Sequence, residues 1–97
     1  MAVEIALRPD DLRREAQVYR EAAQAIDAEK NKVQSKNLEI GLHWKGKAFD
    51  AYLRQFDQVA KHVAEFNELL ESIHYQLLNY ADTLESRDDA DQAVFGL

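Results

Sequence analysis

The chain has 97 residues, 46% of them hydrophobic and 31% charged, with a formal net charge of -6, one proline, three glycines and no cysteine. That length holds one domain at most, and the mix of apolar and charged residues is not a disordered composition. The acidic balance argues against nucleic acid and against an anionic membrane surface, no apolar run approaches the ~20 residues that span a bilayer, and the missing cysteine removes disulfides and thiol chemistry.

The first residues, "MAVEIALRPDD", show no basic n-region followed by an apolar h-region, so no conventional signal peptide is expected. A helix start is expected at "RPDDL". Pro9 suits a first helical turn, and Asp10 and Asp11 complement the positive end of the helix dipole, although Arg8 stands where a capping Ser or Asp is preferred. Leu12, Tyr19, Ile26, Val33 and Ile40 then recur every seven residues. Their neighbours three and four positions on are mostly small or polar: Ala16, Ala22, Ala23, Glu29 and Lys30. Alanine at such places lets a second helix approach closely. The spacing predicts a first helix over about 9–42.

A bend is predicted at 43–46, "HWKG". Gly46 offers backbone freedom and an acceptable N-cap, and Trp44 can fold its ring over the apolar ends of both helices. A second helix over about 47–88 follows. Phe49, Phe56, Val63, Leu70, Leu77 and Leu84 recur every seven residues, with Tyr52, Val59, Phe66, Ile73 and Tyr80 three after each of the first five. In heptad notation these are the a and d positions of a long packed seam. The pattern stops after Leu84, because Arg87 and Asp91 take the next two places. Residues 89–97 are expected to be a flexible tail.

Two long helices joined by so short a connection must form an antiparallel hairpin. A hairpin is a single layer, and Leu53, Leu69 and Leu78 add apolar surface outside the a/d seam. Stable folds cover such faces. The expected architecture is therefore all-α: a helical hairpin that dimerises into a four-helix bundle, with Phe49, Tyr52, Phe56, Val59, Val63, Phe66, Leu70, Ile73 and Leu77 as its core and dimer seam.

Trp44-Lys45-Gly46, central in a chain of this length between two amphipathic helices, resembles the WXG family of ESAT-6-like proteins. "WKGKAFDAYLRQF" and the ending "VFGL" resemble the homodimeric type found in Firmicutes. The resemblance covers the whole chain. It implies a hairpin that pairs with itself or with a paralogous WXG protein. It implies signal-peptide-independent export from the cytoplasm to the cell surface or medium by a type VII (ESX-type) secretion system and its ATPase. Members are non-enzymatic effectors, as virulence or interbacterial factors, or adaptors that accompany a larger co-secreted protein. They need no cofactor.

The family also carries a C-terminal export motif. Its strict form, Tyr-x-x-x-Asp/Glu, fails at Tyr80, where Leu84 stands four residues on and Glu85 is one too far. The looser hydrophobic-x-x-x-acidic form fits Leu84 and Asp88, with Phe95 as a later anchor and Tyr80 in support. Trp44 and Gly46 are the bend motif. Two rival readings remain open from the residues alone: a cytosolic, purely structural coiled-coil adaptor, and a carboxylate-type metal-binding bundle. The second rests on Glu71 and His74, which resemble half of a ferritin-like site. Glu71 falls at b and His74 at e, and every a and d position of the second helix's seam is apolar, so His43, His62 and His74 are expected to be solvated or at an interface edge rather than metal ligands. Nothing in the sequence forms a phosphate loop, a nucleophile elbow or a zinc spacing.

Overall fold

The computed structural model describes residues 8–95, with side chains as far as Arg87. Helix α1 runs Pro9–Gly41 and helix α2 runs Lys47–Phe95. Pro9 opens α1 at a place where its missing N–H has no helical partner to lose. The Asp11 carboxylate accepts a hydrogen bond from the Arg8 backbone N–H at 3.2 Å, the half of a capping box in which the N3 side chain reaches back to the N-cap.

Helix α2 extends beyond its expected end at about 88. The apolar pattern ends at Leu84, but the helix continues to Phe95. A helix stops where the backbone is broken, not where its apolar face ends, and Ala90, Gln92 and Ala93 all favour helix ahead of Gly96. Residues 96 and 97 lie outside the described residues.

The helices run antiparallel. Arg13 reaches Asp82, Ala16 meets His74, Asn37 meets Tyr52 and Gly41 meets Phe49, a strictly reversed order. Naming Leu12, Tyr19, Ile26, Val33 and Ile40 the a row of α1 makes Ala16, Ala23, Lys30 and Asn37 its e row. The buried residues Leu12, Ala16, Ala23 and Asn37 of α1, and Phe49, His74 and Ala81 of α2, then all fall on a or e. Within this one hairpin the helices meet on a and e; of the residues expected in the core and dimer seam, Phe49 is buried and Phe56, Val63, Leu70, Ile73 and Leu77 are half-buried. The d row of α2 stays largely open, with Tyr52 39%, Val59 54%, Phe66 50% and Tyr80 56% exposed and Ile73 half-buried. Small side chains at e in α1 admit the mixed e row of α2 at short range, and this fit outweighs the stronger hydrophobicity of the d row.

The molecule measures 74 × 28 × 15 Å. Its thickness is that of one helix with side chains, so there is one layer. Among the described residues the buried apolar side chains are only Leu12, Ala16, Ala23, Phe49 and Ala81. No described helix is long and apolar enough to cross a membrane.

Candidate interaction surface

With a and e turned inward, antiparallel geometry places the d and g rows of both helices on one broad side and the b and f rows on the other. A cleft between the helices bears this out: it is lined by Ala23, Gln24 and Asp27 of α1 and by Ala64, Asn67, Glu68 and Glu71 of α2, all at e, f or b. The two sides differ in chemistry. The d/g side carries the exposed Tyr52, Val59, Phe66, Leu69 and Tyr80 of α2 and the exposed Val18 of α1. It spans ~42 Å from Tyr52 to Tyr80 at 1.5 Å per residue. Fully burying each large side chain is worth ~1.5–3 kcal/mol, so the strip favours a covering partner. The b/f side is more polar.

The bend is built by backbone hydrogen bonds. The N–H groups of His43 and Trp44 both donate to the Ile40 carbonyl, at 3.0 and 2.9 Å, and the Asp50 N–H donates to the Gly46 carbonyl at 3.0 Å to open α2. Gly46 is therefore the N-cap, as expected. Its backbone is not left-handed, however, and a Cβ there would meet nothing within 4 Å. The glycine that packing demands is Gly41, whose Cβ would stand 3.2 Å from Cε2 of Phe49.

Trp44 lies with its ring centroid 5.1 Å from that of Phe49, and Phe49 stacks on Tyr52 at 6.0 Å. The indole covers Phe49 yet remains 52% exposed, so the bend offers an aromatic surface to solvent. The Tyr52 hydroxyl donates to Oδ1 of Asn37 at 2.8 Å, while the buried Nδ2 of Asn37 has no partner.

His74 corrects the expectation of a solvated or edge histidine. It is only 3% exposed, and its Nδ1 lies 2.6 Å from the Ala16 carbonyl oxygen. A carbonyl only accepts, so Nδ1 carries the proton and donates. His43 and His62 are exposed, as expected. Glu71 lies in the polar cleft while His74 binds across the seam. Among the described residues no group of three or more His, Cys, Asp or Glu could hold a metal ion.

At the open end Arg13 donates to Asp10 at 3.0 Å, to Asp82 at 2.8 Å and to Glu85. The bond to Asp82, then that to Glu85, raises the guanidinium pKa further above its ordinary value. Of the expected export residues, Leu84 is half-buried in the seam beside this clasp and Tyr80 is exposed on the d row. The side chains of Asp88 and Phe95 lie outside the described residues. The sequence reading missed Arg13, Asn37, Gly41 and the buried role of His74. Only Gly41 left a signal, as a glycine at the end of a helical pattern, ahead of the tripeptide that drew notice.

The class of protein is thus a two-helix hairpin, one layer thick, with a long apolar side and an aromatic bend. Residues 4–89 match the family model WXG100, described as proteins of 100 residues with WXG. An ESAT-6-like protein of Streptococcus agalactiae is 35% identical over 85 residues, covering 88% of this chain and 88% of that protein. Type VII secretion system extracellular protein A of Staphylococcus aureus is 31% identical over 93 residues, covering 96% of each chain. In fold, EsxA of Geobacillus thermodenitrificans matches with a TM-score of 0.80 at 24% identity, covering 93% of this chain and 97% of that one. The chain belongs to the WXG100 family.

Proposed function

We propose that this chain is a small protein exported by a type VII secretion system and that it acts by protein–protein contact, as an effector or adaptor. The observation that carries the reading is the exposed d/g strip from Tyr52 to Tyr80 on a hairpin one layer thick. A second copy, or a paralogous WXG100 chain, covers this strip to give a four-helix bundle. The export ATPase reads the exposed Trp44 bend together with the end of α2, where Tyr80, Leu84, Asp88 and Phe95 form the determinant. A larger co-secreted protein is the cargo in the adaptor role. The route runs from the cytoplasm to the cell surface or medium without a cleaved signal. Support comes from the Staphylococcus aureus relative, which is named as an extracellular protein of that system.

The test is secretion of tagged protein from a host with an intact system and from the same host lacking its ATPase. Appearance in the medium only with the ATPase is the expected result. Equal amounts in the medium of both strains, or retention in the cytoplasm of both, would overturn the export reading.

A further inference from the structure

On the b/f side of α2 lies the f row: Lys47, Arg54, Lys61, Glu68, Tyr75 and Asp82, at seven-residue spacing. All six are exposed. The row lies about 160° around the helix from the d row, so it faces away from the apolar strip whatever covers that strip. It is basic along the bend half and acidic along the open half. Among the described residues Lys47, Arg54, Lys61 and Glu68 make no ion pair, and Asp82 alone is engaged, by Arg13.

We propose that this row is a second interaction surface, which binds the same row of another copy in antiparallel fashion and so links paired hairpins into larger assemblies. The row is complementary to its own reverse. Turned end for end about a two-fold axis between Ala64 and Glu65, Lys61 faces Glu68 of the other copy, Arg54 faces Tyr75 and Lys47 faces Asp82. The axis repeats each pair, as an isologous contact requires. Arg54 over the Tyr75 ring is a cation–π arrangement, which accounts for an aromatic residue 55% exposed in an otherwise charged row. The flanking b and c rows agree. Ala64 meets Glu65, Leu78 meets Ala51, Glu71 meets Gln58, and Asp57 meets Ser72, with no two like charges opposed.

Other registers do not share this property. A slide of one heptad one way sets Glu68 against Glu68 at the axis while placing Arg54 opposite Asp82, and a slide the other way sets Lys61 against Lys61 while placing Arg54 opposite Glu68. A parallel pairing opposes every like charge. Like charges directly opposed are destabilising, so the row disfavours parallel pairing and favours the antiparallel register in which no like charges meet. Exposed ion pairs contribute only ~0–1 kcal/mol each and are screened by salt. The contact is therefore weak, additive over its repeats, and confined to low ionic strength.

Sedimentation velocity at low salt and at about 0.5 M NaCl, where the Debye length falls to about 4 Å, tests it. At low salt the wild type is expected to form species larger than the paired hairpin, and at high salt to lose them. Lys61→Glu alone and Glu68→Lys alone should each abolish the larger species, and the double swap should restore them, with circular dichroism unchanged throughout. Because the chain has no cysteine, Ala64→Cys beside the axis should cross-link at low salt, whereas Gln58→Cys, far from it, should not. Phe66→Glu, which removes the apolar pairing but not the f row, should leave hairpins that still self-associate at low salt. This arm separates failure of this contact from failure of the pairing reading. Larger species that persist in high salt or survive either single reversal, or no larger species at any salt with no Ala64→Cys cross-link, would overturn the proposal.

Discussion

Gly41 and Phe49 close the bend on each other: a Cβ on Gly41 would stand 3.2 Å from Cε2 of Phe49. Phe49 has little room to give, being 4% exposed and flanked by the Trp44 and Tyr52 rings. Gly41→Val should therefore destabilise by ~1–3 kcal/mol through overpacking. Gly46→Ala, which meets open space, should stay within ~0.5 kcal/mol. Thermal melts by circular dichroism compare the two. A larger loss for Gly46→Ala would mean that the bend depends on the motif glycine after all.

That contrast shows what was legible in the sequence. The rhythm from Phe49 to Leu84 identified a long helix, and the short "HWKG" connection made it antiparallel. Heptad spacing cannot tell which row flanking a turns inward, because d and e both border a on the helix surface. The d row, Tyr52 to Tyr80, is the more apolar, so it read as the seam. In the fold, Ala16 and Ala23 bring the backbones close, and the e row with His74 and Ala81 fills the gap. Heptad position alone likewise hides a cross-helix hydrogen bond such as that of His74.

The open d row carries the pairing prediction. Phe66 sits near its middle and is 50% exposed. Phe66→Glu should place a charge in the covered face and raise the dissociation constant for apolar pairing at least about 100-fold, since burying an unpaired charge costs several kcal/mol. Light scattering at about 0.5 M NaCl should show wild-type dimer and mostly single hairpins for the variant. A fully dimeric variant would place the pairing surface elsewhere.

His74 holds the seam with a hydrogen bond and its ring volume together. His74→Ala removes both and should cost ~2–4 kcal/mol. His74→Leu keeps the volume, and the Ala16 carbonyl retains its place in the α1 ladder, so that variant should lose less than half as much. Urea unfolding measures each. Equal losses would make the hydrogen bond, not the packing, the dominant contribution.

Trp44 covers Phe49 with one face and presents the rest to solvent. Trp44→Arg should leave most of the helical signal in place, since the seam lies elsewhere. It should reduce export more than it reduces the melting temperature. Secretion at the wild-type level would restrict Trp44 to packing at the bend.

The end of α2 tests whether the chain carries its own export determinant. The described seam closes at Ala81 and Leu84, with the Arg13 clasp on Asp82 and Glu85 beside them. Everything that holds α1 to α2 among the described side chains therefore precedes residue 88. Yet the helix runs on to Phe95, which keeps position 88 one turn beyond Leu84 on the same helical face. An apolar and an acidic anchor at that spacing suit a groove that receives a short helix. Truncation after Arg87 should keep the pairing and the melting temperature, lose only the helical signal of residues 88–95, and abolish secretion. Normal secretion of the truncated chain would move the signal to a partner chain. Loss of pairing would instead make the last turns of α2 part of the bundle.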